Sequence, residues 1–171
     1  ACQICVPLPE QTLADRLLAS RAVVLAREDP ERPFHYRVTE ILAGAPDGRP
    51  ADLFLNSQAR RTLAAYPDRA MVLAQSAKDG SWSALGTTRP EYERVVREIL
   101  RRADRWLPRE TNNAARLDWF VRLLGHADKR LHELAYLEIG RAPYAEIRRL
   151  AGRIPAETLQ AMLDDPRYLE W

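Results

Sequence analysis

The sequence predicts an α+β protein, with a small five-stranded β-barrel and one helix followed by a C-terminal module of helices. Up to about residue 88, short runs of β-branched and aromatic residues alternate with turn residues, as β-strands do. From residue 90 onward, apolar residues recur every three to four positions, as in amphipathic helices. We therefore predict a barrel domain at 1–88 and a helical domain at 89–171.

The predicted barrel domain begins with helix 10–20, which carries a leucine stripe. Its five strands are predicted at 22–27, 34–42, 52–56, 71–75 and 81–85. In the second strand, Phe34, Tyr36 and Val38 share one face. Closure removes exposed strand edges, which favours a barrel over the alternative, a twisted sheet packed on the helix.

A strand motif ending in glycine stands within this domain. Its residues are Tyr36, Val38, Glu40, Ile41, Leu42 and Gly44. With the N-terminal cysteines and the order of elements, it resembles the bacterial relatives of the netrin-like, tissue-inhibitor-of-metalloproteinase-like domain, an OB-type barrel, over about residues 2–88. The family usually has later cysteines that pair with the N-terminal ones, and this chain has none. Ala1 also precedes Cys2, whereas those inhibitors chelate zinc through the amino group of an N-terminal cysteine. The resemblance therefore implies the fold and not the inhibitory activity.

The second half contains a helical motif with residues typical of helix starts and ends. Gly125 is predicted to end a helix, Asp128 to cap the next, and Pro143 to open another before Tyr144. The motif residues are Phe120, Leu123, Leu124, Gly125, His126, Asp128, Glu133, Ala135, Tyr136, Glu138, Ala142, Pro143 and Tyr144. This pattern resembles HEAT-like helical repeats over about residues 90–166. The resemblance implies a scaffold that binds other proteins.

Cys2 and Cys5 form a C-x-x-C pair and are the only cysteines. Pro7 and Pro9 follow them, so the pair does not open a helix that would lower a thiolate pKa. Three interpretations stay open: a local disulfide, a Cu(I) or Zn site completed by other ligands, and a redox-active or partner-directed thiol pair. Beyond this metal alternative, no cofactor is expected.

Few other residues suggest chemistry. His126, His132 and Glu133 are weak candidates for a metal or polar site, because a spacing of six does not place both histidines on one helical face. A turn-capping His126 and a surface His132 are the structural interpretation. We expect Glu138 to pair with an arginine or to cap the turn before Tyr144. The chain has no phosphate-binding glycine loop, nucleophile elbow or zinc-protease motif, so no enzyme is predicted.

Composition limits the classes of partner. The 26 basic residues nearly balance the 24 acidic ones, which disfavours nucleic acid, and no apolar run approaches the roughly 18 residues of a membrane span. The start without Met suggests a mature bacterial protein, secreted to the periplasm or cell surface, with an anchor beyond the ends as an alternative. We predict a non-enzymatic scaffold that engages a protein partner. The alternative is a periplasmic metal-binding or thiol-redox accessory protein. The oligomeric state stays open.

Overall fold

A computed structural model of the chain describes residues 11–50, 52–106 and 114–164. Within these ranges it forms four β-strands and eight helices. In chain order they are α1 (Leu13–Leu18), β1 (Ser20–Glu28), β2 (Tyr36–Gly44), α2 (Ser57–Ala65), β3 (Met71–Ser76), β4 (Trp82–Thr87), α3 (Pro90–Arg101), α4 (Ala103–Trp106), α5 (Ala114–Val121), α6 (Lys129–Gly140), α7 (Tyr144–Arg149) and α8 (Ala156–Asp164).

Contacts divide the chain into two compact units. Among the described residues, the sheet unit lies within Leu13–Asp104, and the helical unit combines residues 11–12 with 105–106 and 114–164. The division falls within α4, beyond the residue 88/89 boundary proposed from the sequence. The reason is that α3 belongs to the sheet unit, where the Tyr92 hydroxyl donates to the Leu85 carbonyl of β4 at 3.1 Å.

The four strands form one antiparallel sheet in the order β2-β1-β3-β4. Hairpins join β1 to β2 and β3 to β4, whereas the chain from β2 to β3 passes through α2 and crosses β1. The central strands are apolar runs buried on both faces, as expected for strands with helices on either side. The outer strands β2 and β4 are the two edges of an open sheet.

The core of the sheet unit lies on both faces of β1 and β3. On one face, Val24 and Leu73 pack in a cluster with Ala59 and Leu63 of α2. Val23 alternates to the other face and is equally buried. Helices α1 and α3 contact each other, and α3 buries Tyr92, Val95, Val96 and Ile99.

The prediction of a five-stranded barrel is wrong. The segment predicted as the third strand, 52–56, makes a single bridge between Phe54 and His35 and then enters α2, which Asn56 caps through its side chain. Without that strand, β2 and β4 do not meet and the sheet stays open. Helices cover its faces instead, which is closer to the twisted sheet weighed as the alternative.

The prediction of a HEAT-like helical module is also wrong. Helix α5 packs on α6, but α7 and α8 bury none of their own residues within the described chain. A repeat array needs successive helix pairs that stack and bury a continuous core. The core of this unit is instead formed mainly by buried residues of α5 and α6. Trp106 of α4 joins Trp119 and Phe120 of α5 in aromatic contacts at 4.8–5.8 Å between ring centroids.

Candidate functional site

Strand β2 is the more exposed of the two edge strands of the sheet. Of its nine residues only Tyr36 is fully buried, and Ile41 is 53% exposed. In the sheet, β1 is the one strand paired with β2. Alternate backbone N–H and C=O groups of such an edge strand point away from the sheet, where another extended chain can pair with them.

Phe34, in the turn that leads into β2, has a conformation unusual for its residue type. Its φ is 66°, and no other non-glycine residue in the described ranges has a positive φ. A bulky side chain in this left-handed region costs on the order of 1–3 kcal/mol. The ring is also 43% exposed, so burial of apolar surface does not explain why phenylalanine occupies this position.

Neighbouring groups fix Phe34 in place. The Glu28 carboxylate accepts a hydrogen bond from the Phe34 N–H at 3.1 Å and from the Arg60 Nε at 2.7 Å. The Arg60 guanidinium lies 4.4 Å from the centre of the Phe34 ring, and Leu55 N–H donates to the Phe34 carbonyl at 2.8 Å. These hydrogen bonds lower the pKa of Glu28 below its ordinary value, and the one from the Phe34 N–H has the larger effect.

A second exposed aromatic ring lies beside this turn. Phe54 is 64% exposed, and its ring meets the His35 ring edge-on at 5.0 Å between centroids. We call Phe34, His35 and Phe54 the aromatic cluster. It stands at the beginning of β2, so an extended chain that paired with β2 would also meet two aromatic rings.

The predicted cysteine site cannot be placed, because Cys2 and Cys5 lie outside the described residues. Among the residues that are described, no group of three or more His, Cys, Asp and Glu side chains is arranged to hold a metal ion. Within the same ranges, no helix has the length and apolar character needed to cross a membrane.

The structure does not bring His126, His132 and Glu133 together as a site. The Nδ1 of His126 accepts from the Asp128 N–H at 2.9 Å, and the Nδ1 of His132 contacts the Leu124 carbonyl. Glu133 instead lies 3.8 Å from the Lys129 ammonium on the surface of α6. Each of the three is therefore engaged with a different neighbour.

The residues predicted at helix ends lie at or near the ends of α5, α6 and α7. Asp128 caps α6 and accepts from the Arg130 N–H at 2.9 Å. Pro143 precedes α7, and Tyr144 begins that helix with its side chain 75% exposed. Helix α5 ends at Val121, before Gly125 is reached.

Glu138 lies in the core of the helical unit and is paired with Arg116. Two hydrogen bonds of 2.8 and 3.0 Å join the guanidinium to the carboxylate, and both side chains are less than 5% exposed. Arg116 also donates to the Thr12 hydroxyl at 3.3 Å. The carboxylate is thus occupied by a structural ion pair, which disfavours a role for it as a general base.

Sequence reasoning missed the aromatic cluster. It placed Phe34 in the apolar face of a strand, and it placed Phe54 within a further strand. One local signal was present: Pro33 directly precedes Phe34 and ends a turn rich in charge and proline. Such a turn can place the next side chain outside the strand alternation.

Comparison of the chain with known proteins identifies no relative: no family model, curated protein or solved structure matches it. A relationship to netrin-like or HEAT-like proteins therefore stays a prediction. The barrel and repeat folds that such a relationship implies differ from the observed fold.

Proposed function

We propose that this protein is a non-enzymatic binding protein that takes an extended segment of a partner polypeptide along the outer edge of β2. The observation that carries the proposal is the juxtaposition of this edge with the aromatic cluster. Phe34 is kept in an unfavourable backbone conformation there while its ring stays exposed. Unfavourable conformations held in place by their surroundings concentrate at binding and switch sites.

The chemistry of an edge strand supports a polypeptide as the ligand. An added strand satisfies the outward N–H and C=O groups of β2, which gives affinity without regard to sequence. Side-chain contacts at alternate positions then give specificity. Exposed aromatic rings at the start of the strand are suitable anchors, because such rings dominate the binding energy of many protein interfaces.

The other edge of the sheet is less suited to this role. Strand β4 has six residues, most of them half-buried. The Tyr92 hydroxyl occupies the Leu85 carbonyl, and the Arg16 side chain donates to the Ser83 hydroxyl at 3.2 Å. Groups from α3 and α1 thus engage β4. Arg97 of α3 also pairs with the Glu40 side chain of β2, but β2 is the longer and more exposed strand.

Features of β2 also oppose pairing with a second copy of the chain. The register with β1 shifts between Val23 and Val24 and again between Leu25 and Ala26, as at β-bulges. Arg37 and Glu40 add charges to the strand. Bulges and charges are common devices against edge-to-edge aggregation. A partner segment that pairs with β2 is therefore expected to carry charges complementary to these side chains.

Export to the periplasm or cell surface stays part of the proposal as the sequence predicts it. The alternative function, metal binding or thiol redox chemistry at Cys2 and Cys5, also stays a prediction. Mass spectrometry of the purified protein tests it directly: a free thiol pair with stoichiometric metal supports it, and a disulfide between the two sulfurs without metal contradicts it.

The binding proposal is tested with a displayed library of short unstructured peptides selected against the full chain. We expect the selected peptides to slow hydrogen exchange of backbone amides in β2. Ile41→Asp places a charge on the proposed interface and should weaken peptide binding by about tenfold or more, the loss of roughly 1.4 kcal/mol or more that a central contact produces.

Leu163→Asp is the matched control, because Leu163 is exposed on α8 in the helical unit. It should leave peptide affinity unchanged. Protection confined to the helical unit, or loss of affinity in the Leu163 variant alone, would assign binding to that unit and contradict the proposal for β2.

A further inference from the structure

Two arginine side chains face each other across the edge of the sheet. Arg27 of β1 and Arg37 of β2 are direct partners in the antiparallel register. Direct partners lie on the same face of a sheet with Cβ atoms roughly 4.5–5.5 Å apart, and like charges at such positions are destabilising. The sequence therefore keeps a repulsive pair where opposite charges or two apolar residues would stabilise the sheet.

Neither arginine forms an ion pair with a carboxylate of the described chain. The Arg27 guanidinium instead donates to the Pro67 carbonyl, which holds it in position without neutralising its charge. Arg37 is exposed on the edge strand. The repulsion between the two side chains is therefore not offset by a counter-charge in contact with either of them.

The carboxylates closest to the facing arginines along their strands are engaged by other groups. Glu40 stands on the same face of β2, but the Arg97 guanidinium binds both of its oxygens at 2.8 Å. Glu28 is held by the Arg60 Nε at 2.7 Å. The turn at 29–33 carries two carboxylates and one guanidinium, none of which pairs with the facing arginines. Charges that are not in contact interact weakly through water, so the local preference is for an anion.

Arg37 also lies where a partner strand would begin to pair with β2. Phe54 already forms a bridge with His35. The Leu55 N–H donates to the Phe34 carbonyl at 2.8 Å. These contacts occupy the backbone just before β2, so the open part of the edge begins next to Arg37. A residue opposite Arg37 in an added strand would lie close to the aromatic cluster and on the face of the two guanidinium groups.

We infer that the extended partner segment carries an acidic residue, which pairs with Arg37 when the segment adds to β2. This inference rests on the proposed peptide-binding function. A carboxylate beside Arg37 and Arg27 offsets their repulsion, and guanidinium groups bind carboxylates through paired hydrogen bonds. Because Arg97 already binds Glu40, that position needs no basic residue of the partner. The partner is an acidic extended segment with an apolar residue within a few positions of its carboxylate.

Selection of peptides by variants of opposite charge tests this inference. The displayed library of short unstructured peptides is selected against the full chain as wild type, Arg37→Glu and Arg122→Glu. Arg122 is exposed in the helical unit, so its variant makes the same change of charge away from β2. Peptides selected by the wild type and by Arg122→Glu should be enriched in Asp and Glu. Those selected by Arg37→Glu should be enriched in Lys and Arg, because the facing charge is reversed.

The affinity of one selected acidic peptide, measured by fluorescence anisotropy, gives the size of the effect. Arg37→Glu should weaken its binding about tenfold, a loss of roughly 1.4 kcal/mol, because a repulsive pair replaces an attractive one. Exchange of the acidic residue of the peptide for lysine should restore most of this affinity. Arg122→Glu should stay within about twofold of the wild type, since distant exposed charges are screened by salt.

The stability of the peptide-free variant separates lost binding from lost folding. Arg37→Glu places an opposite charge across from Arg27 in place of a like one, so its Tm should equal or exceed that of the wild type. A clearly lower Tm would show that the two arginines do not repel each other in the fold, and would overturn the inference.

Failure of the charge preference is distinguishable from failure of the binding edge. Selected peptides that slow hydrogen exchange in β2 but show no acidic enrichment, or the same composition with Arg37→Glu, would overturn the inference and leave the binding edge in place. Selected peptides that leave β2 unprotected would contradict the binding edge itself, and the inference with it.

Discussion

The two units differ in where an energetically costly feature lies: in the helical unit it is buried, and in the sheet unit it is on the surface. The helical unit encloses an ion pair, Arg116 with Glu138, whose side chains are less than 5% exposed. The sheet unit has an apolar core and carries its cost on the surface, in the left-handed backbone of Phe34.

The locations indicate different reasons for keeping the two features. The buried pair is satisfied entirely by its surroundings: Arg116 reaches both carboxylate oxygens of Glu138 and the hydroxyl of Thr12. Its role is therefore in the packing of its own unit. Phe34 is exposed and adds little to any core, so packing gives no reason for its conformation. The surface cost is the one that points to binding.

The largest effect is expected from breaking the buried pair. Glu138→Gln leaves the Arg116 guanidinium in the core without its counter-charge, and such losses cost about 3–5 kcal/mol. Urea unfolding followed by tryptophan fluorescence measures the change, because Trp106 and Trp119 lie in the same unit and Trp106 is 6.0 Å from the guanidinium.

The double variant Arg116→Met with Glu138→Leu distinguishes the ion pair from the site it occupies. Replacing both partners by apolar side chains removes the desolvation cost along with the attraction, so most of the lost stability should return. If Glu138→Gln lowers the free energy of unfolding by less than about 1 kcal/mol, the buried pair contributes no more than an exposed ion pair does. The contrast between the two units would then fail.

An intermediate effect is expected at Phe34. Both Phe34→Gly and Phe34→Ala remove the ring and its contact with Arg60, but only alanine keeps a Cβ at φ 66°. The left-handed conformation costs an L residue about 1–2 kcal/mol, and glycine loses about 0.5–1 kcal/mol more on folding through its chain entropy. The glycine variant should therefore be at least as stable as the alanine variant, by up to about 1.5 kcal/mol in urea unfolding.

The same two variants separate stability from binding. Each should lose affinity for the selected peptides, because each lacks the exposed ring. An alanine variant clearly more stable than the glycine variant would show that Phe34 is not held in the left-handed region. Peptide affinity unchanged in both would remove the aromatic cluster from the proposed interface.

Local signals in the sequence account for much of the fold. The runs around β1 and β3 are buried strands, as their apolar residues predict, and the half-buried β4 follows the predicted Asp79-Gly80 turn. Asp128 caps α6 because its short carboxylate reaches an orphan N–H, a property that sequence alone reveals. These features depend on neighbours in the chain.

The predictions fail where the structure depends on contacts between residues that are far apart in the sequence. In the segment 52–56, Leu55 is buried and Phe54 is exposed, as in a strand, yet the segment makes only a single bridge, between Phe54 and His35. Alternation cannot show whether a partner strand exists. The pairing of Glu138 with an arginine was expected, but the choice of Arg116, a helix away, depends on how α5 packs on α6.

The smallest effect concerns the carboxylate that supports Phe34. The Phe34 N–H and Arg60 lower the pKa of Glu28 in the folded protein, so ionised Glu28 stabilises the fold at pH values above its unfolded pKa, near 4.5. That contribution is lost as the pH falls through the lowered folded pKa. In Glu28→Gln, the free energy of unfolding should fall less steeply as the pH is lowered. The difference from the wild type should be less than about 1 kcal/mol, since the partner Arg60 is partly exposed.

Unfolding free energies measured from pH 7 to pH 3 test this expectation. The variant should keep part of the acid slope, because Arg97 lowers the pKa of Glu40 in the same way. Identical slopes in variant and wild type would mean that Glu28 does not hold the turn through its charge. The left-handed conformation of Phe34 would then be held by the backbone hydrogen bond from Leu55 and not by the charge of Glu28.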